Sequence, residues 1–136
     1  MRCQNIYYIA AVSALVALPQ VTHAFQGKRG TTVNAVNDSV FEVVARTAGS
    51  AQEYWCGAAD YARGELGAPW SAKITLVRGR GPSETTGRRS AVQYALADAA
   101  GNVQERPILQ FGQLVPGQTM TVTNAYRFCA GPVGRR

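Results

Sequence analysis

The amino terminus constrains what this chain can become before any other segment does. Met1-Arg2-Cys3-Gln4-Asn5 carries positive charge, Ile6 to Leu18 is uncharged and mostly apolar, and Pro19 interrupts that run. Thr22 and Ala24 then stand at the −3 and −1 positions of a cleavage site, the order that signal peptidase reads. An apolar run of about 13 residues is too short to cross roughly 30 Å of hydrocarbon as a helix. The sequence therefore predicts an exported precursor: residues 1–24 are a cleavable signal, and residues 25–136 are one small domain in the periplasm or outside the cell. The competing reading is an N-terminal membrane anchor. A lipoprotein needs its cysteine after the apolar run, whereas Cys3 precedes it.

Removing the signal changes the chemistry. The 14 basic residues become 13 without Arg2, against 8 acidic ones, so the net charge becomes +5. The single histidine, His23, leaves too. A domain without histidine has no Ser-His-Asp or Cys-His site and no imidazole metal site. Two cysteines remain, Cys56 and Cys129, and in an oxidising compartment an isolated pair is expected to form one bridge. Free thiols or an intermolecular bond are the alternatives. The Cys-x-x-Cys spacing of redox enzymes is absent.

Residues 25–30 are polar and basic and read as a loose lead, and residues 130–136 as a loose tail. Thr31–Val36 and Ser39–Arg46 read as two strands joined at Asn37-Asp38. In the second, Phe41, Val43 and Ala45 alternate with Val40, Glu42, Val44 and Arg46. Ser50 and Glu53 form a capping box, after which Trp55, Ala59, Ala62 and Leu66 recur on one helical stripe with Ala58 at its edge. Cys56 borders that stripe, placed for a bridge to Cys129. Gly67 and Pro69 end the helix. Ala72–Arg78 and Ser90–Ala97 read as strands, Pro107–Phe111 as a short edge strand, and Thr119–Phe128 as a final strand. The order is ββαβββ(β): an α+β domain with one helix packed on an antiparallel sheet of five to six strands.

The most unusual stretch runs from Arg78 to Ser90. Arg78, Arg80, Arg88 and Arg89 bracket glycines and the hydroxyls Thr85 and Thr86. Glycines let backbone N–H groups converge, and arginines offer paired donors to carboxylate or phosphate, so this reads as an anion-binding hairpin tip. It matches neither a P-loop nor a dinucleotide fingerprint, because a strand follows. The competing reading is a solvated basic hairpin. Catalysis has only carboxylates, hydroxyls, Lys28, Lys73 and arginines to draw on; Glu53 and Asp60 lie two helical turns apart, the one paired-carboxylate candidate. Dipole compensation on a polar helix face is the simpler account of both.

The segments Tyr54 to Arg63 and Arg78 to Arg88 are similar to small exported bacterial proteins of unassigned function. That resemblance implies an envelope or extracellular setting and carries over no catalytic residue, cofactor or fold. The expected function is a non-enzymatic binding module for an anionic partner: an envelope lipid, a glycan or an acidic protein surface, not nucleic acid. No cofactor or metal is expected. An inhibitor of an extracytoplasmic hydrolase is the alternative, and a carboxylate-dependent hydrolase a second.

Overall fold

The computed structural model describes residues 23–46, 49–110 and 112–130. Nearly all of the expected signal and most of the expected tail lie outside them. Six strands form one sheet in the order β1-β2-β3-β5-β4-β6, every neighbouring pair antiparallel. They are β1 (Phe25–Gln26), β2 (Thr32–Ala35), β3 (Val40–Val44), β4 (Lys73–Gly81), β5 (Ala91–Leu96) and β6 (Thr119–Thr121). Helix α1 (Ala51–Gly64) links β3 to β4, and a short helix α2 (Val122–Tyr126) follows β6. The class is α+β: two helices on a six-stranded antiparallel sheet. Because β5 pairs with both β3 and β4, the β3-α1-β4 unit is a split crossover, with the hairpin return strand inserted between its two parallel strands.

Helix α1 starts where its cap says it should. The Ser50 hydroxyl accepts the Glu53 N–H at 3.3 Å. The helix ends in a turn that Gly67 makes possible: its φ of +64° is left-handed, and the Ala68 N–H closes back on the Ala62 carbonyl at 2.8 Å. Leu66, expected on the buried stripe, therefore falls past the last helical turn and is exposed. Trp55, Ala58, Ala59 and Ala62 are buried against Phe41, Val43, Ile74, Leu76, Val92 and Tyr94 of the sheet. Trp55 meets the Tyr94 ring edge-on at 4.9 Å, and Phe41 meets Tyr61 at 4.7 Å. Gly57 brings the helix close to β3: a Cβ there would lie 2.7 Å from a Val43 methyl.

Residues 25–30 and 119–130 depart from the pattern expected of them. Residues 25–26 form an edge strand on β2, and Lys28–Gly30 make a 3-10 turn. Phe25 supplies the reason, since its ring packs edge-on against Tyr61 at 5.5 Å. At the other end, Thr119–Phe128 is a strand only as far as Thr121. The Thr121 hydroxyl accepts the Asn124 N–H at 3.2 Å and starts α2, and residues 127–130 continue as a 3-10 turn. A local cap and the burial of Val122 and Ala125 outweigh the β-propensity of Thr, Val and Tyr. Pro107–Phe111 forms no strand among the described residues; the nearby pairing is an isolated bridge between Arg106 and Gln118.

The turn after α2 is tied to α1 by a disulfide between Cys56 and Cys129, with Cα atoms 4.9 Å apart across a sequence separation of 73. Closing a loop of that length constrains the unfolded chain by roughly 4 kcal/mol. Reducing the bridge, or replacing both cysteines by serine, is expected to lower unfolding stability by about that amount in urea titrations. An unchanged urea midpoint would remove the bridge from the list of stabilising features.

Candidate functional site

On the face of the sheet turned away from α1, the register lines up four polar residues. Asn34 on β2 pairs with Glu42 on β3, Glu42 with Gln93 on β5, and Gln93 with Arg78 on β4. Strict alternation from Leu76 would put Arg78 on the helix side. A register shift between Leu76 and Arg78 turns it over, which is what a bulge does to a strand. Val40 and Val44 flank Glu42 on its own face, and Glu42 itself has no solvent exposure. A buried carboxylate among valines needs donors, or it costs several kcal/mol.

The Arg78–Ser90 loop supplies them. Ser83 Oγ and Thr85 Oγ1 each donate to Glu42 Oε1. The Thr85 N–H donates to the same oxygen at 2.9 Å, and the Glu84 N–H to Oε2 at 3.0 Å. Gln93 Nε2 reaches Oε2 at 3.5 Å, and an Arg78 guanidinium nitrogen stands 3.9 Å from it. The loop is braced internally as well. Thr86 donates its N–H and hydroxyl to Ser83 Oγ, the Ser83 N–H bonds the Arg88 carbonyl at 2.8 Å, and Asn34 donates to Thr85 Oγ1 at 3.0 Å. The convergent donors of this loop thus hold an anion that belongs to the chain itself.

The expected site residues separate accordingly. Arg78 turns inward, donating to the Pro82 carbonyl at 2.7 Å and to Glu84 at 3.3 Å. Thr85 is spent on Glu42. Arg80 donates to the Gly49 carbonyl at 2.6 Å and lies over the Tyr54 ring, 5.0 Å from its centre. Arg88 and Thr86 instead line a cleft of about 290 Å³ together with Arg46, Thr32, Gln26 and Gly30. Arg88 Nη1 bonds the Arg46 carbonyl at 3.2 Å, which holds the two arginines side by side. Arg89 is exposed on the same loop. Among the described residues no carboxylate lines the cleft.

Glu53 and Asp60 both lie on α1. Asp60 accepts the Lys28 N–H at 2.9 Å, and neither residue lines the cleft. Among the described residues no group of three or more His, Cys, Asp or Glu is placed to hold a metal ion. Among them, too, no helix is long and apolar enough to cross a membrane. The residues that sequence reasoning passed over are Glu42 and Arg46. The signal for Glu42 was available, because a single acid sits in Val-Phe-Glu-Val-Val, a strand apolar on both faces. No protein-family model matches the chain, nor does any curated protein or solved structure.

Burial works to raise the Glu42 pKa, but the hydrogen bonds from Ser83, Thr85 and the Glu84 and Thr85 amides outweigh it and lower the value to about 2 from 4.5. A folded-state pKa below the unfolded one contributes stability that is full above about pH 4.5 and drains as pH falls toward 2. Glu42→Gln is expected to cost about 3 kcal/mol at neutral pH, since its amide presents hydrogens to a cluster of donors. Urea titrations from pH 2 to 6 should show the wild type gaining that stability with rising pH, with a correspondingly flatter curve for Glu42→Gln. Parallel curves would contradict the role assigned to the carboxylate.

Proposed function

We propose that this protein is an exported, disulfide-stapled binding module that grips an anionic partner in the cleft bounded by Arg46 and Arg88, without catalysing a reaction. The observation that carries this reading is a concave surface with two guanidinium groups, two threonines and a glutamine, and, among the described residues, no carboxylate to neutralise them. Such a surface concentrates positive potential where an anionic group fits. Glu42 has a part in it: by satisfying the loop from beneath, it fixes Thr86 and Arg88 before any partner arrives, so less ordering cost falls on binding. Export is supported by the charged, apolar and small-residue order of the first 24 residues and by the Cys56–Cys129 bridge. A first strand that opens at Phe25 fits cleavage after Ala24.

The anionic groups within reach of an exported basic protein are lipid phosphates, uronate or phosphate-bearing glycans, and acidic protein surfaces. A second reading, inhibition of an extracytoplasmic hydrolase, draws on one observation: the loop is braced rather than loose, as a wedge would need to be. It calls for a stoichiometric complex with one enzyme, where lipid or glycan binding calls for none.

Binding of the protein from Phe25 onward to phosphatidylglycerol vesicles, polygalacturonate and an acidic protein column, each at low and high salt, tests the proposal. Salt-sensitive binding to at least one of them is expected. Arg46→Ala with Arg88→Ala should abolish it while moving the melting temperature little, because both side chains are exposed. Arg80→Ala should instead lower stability, through its bond to Gly49 and its packing on Tyr54. Undiminished binding by the Arg46/Arg88 double variant overturns the assignment.

A further inference from the structure

The turn that gives Gly30 to the cleft gives Lys28 to a second concavity, of about 480 Å³. Among the described residues, Trp70, Tyr126 and Cys129 give it an apolar lining, and Lys28 and Arg127, both exposed, give it charge. Among the described residues no carboxylate lines this groove either.

The groove is built rather than incidental. The Trp70 carbonyl accepts both the N–H of Thr123 at 3.1 Å and its hydroxyl at 2.9 Å, which fixes the backbone beneath the indole. The indole meets Tyr126 edge-on at 5.1 Å, and the Arg63 guanidinium stands 4.3 Å from its ring centre. Lys28 is held by its N–H to Asp60, and its ammonium lies 5.8 Å from the centre of the Tyr126 ring. Arg29 donates to the Phe128 carbonyl at 2.9 Å, and the disulfide pins Cys129 to α1. Yet Trp70 is left 45 % exposed. A large aromatic held in place and left half in water, in a concavity of ligand size, is what a small-molecule site presents.

We propose that this groove binds one anionic single-chain amphiphile free in solution, an acyl carboxylate. Its chain lies along Trp70, Tyr126 and the disulfide, and its carboxylate lies between Lys28 and Arg127. Three features favour this occupant. The charges complement a single anion beside an apolar floor. The Thr123 hydroxyl is already committed to Trp70, so the lining offers a peptide backbone little to bond. The surface is a shallow, open groove, whereas a face that inserts into a bilayer presents a protruding apolar wedge. The site is independent of the Arg46/Arg88 cleft and stands if that reading fails.

The chain has two tryptophans, and Trp55 is only 1 % exposed, so a quencher in the groove reads Trp70. Titration of the protein from Phe25 onward with ω-bromoundecanoate, below its micelle concentration, should quench emission saturably at one site. Trp70→Phe should remove the quenching. Lys28→Gln with Arg127→Gln, and the uncharged probe ω-bromoundecanol, should each weaken binding about tenfold. Arg46→Ala with Arg88→Ala should leave it unchanged, separating this site from the cleft. Far-ultraviolet circular dichroism checks each variant, and if Trp70→Phe unfolds, the charge variants and the alcohol decide. Absence of quenching, or equal affinity for acid and alcohol, overturns the proposal. So does quenching only by vesicles with brominated phosphatidylglycerol chains, or a Trp70 response only to an acidic aromatic peptide; these results assign the groove to a membrane face or a peptide.

Discussion

One buried carboxylate organises the side of the sheet that the helix does not cover. Glu42 sits at zero exposure in the middle of the sheet, and burial there is tolerable only because five donors and a nearby guanidinium converge on it. Four of those donors belong to one short stretch, Ser83 to Thr85, in the loop of the β4–β5 hairpin. The loop has no hydrophobic anchor of its own, and glycine at 87 adopts a φ of +73°. Its shape is therefore set from below by charge-assisted hydrogen bonds rather than by packing. Remove the charge, and the loop loses the reason to lie where it does.

That constraint redistributes the basic residues. Arg78 and Arg80, the arginines nearest the sheet, are absorbed into the fold by Glu42, Glu84, the Gly49 carbonyl and the Tyr54 ring. Arg88, farther along the braced loop, is carried to Arg46 at the end of β3, and the two make the cleft. The 3-10 turn at Lys28–Gly30 then divides two concavities, giving Gly30 to one and Lys28 to the other. Phe25 on Tyr61, Lys28 on Asp60 and Arg29 on Phe128 hold this turn, so residues 25–30 work as a strap rather than a lead.

Periodic segments were legible in the sequence because their signals are local. The Ser50/Glu53 cap, the Trp55–Ala62 stripe and the alternation in β3 and β5 each need only a few neighbours to be read, and the cysteine pair has a single connectivity. Three features depend on distant partners and were not legible. The strand at 25–26 exists because Phe25 finds Tyr61, far along the chain. Residues 122–126 are helical because Val122 and Ala125 find α1, although their propensities favour a strand. The bulge that turns Arg78 over has no composition signal, so the face this arginine takes was not readable from the strand pattern. The hairpin's capacity to hold an anion was visible in its glycines and hydroxyls. That the anion is Glu42 required the register of three strand pairs.

Amide hydrogen exchange at Glu84 and Thr85 tests the dependence of the loop on Glu42 most directly. Both N–H groups point at the carboxylate and take part in no strand ladder. The Glu84 N–H is protected by the carboxylate, and the Thr85 N–H by the carboxylate together with Ser83 Oγ at 3.3 Å, a hydroxyl that itself donates to Glu42. In the wild-type protein both amides are expected to exchange slowly at neutral pH, and in Glu42→Gln both should exchange near unfolded-chain rates while the amides of β3 and β5 remain protected. Fast exchange at both positions in the wild type, or undiminished protection in Glu42→Gln, would contradict the claim that this carboxylate holds the loop.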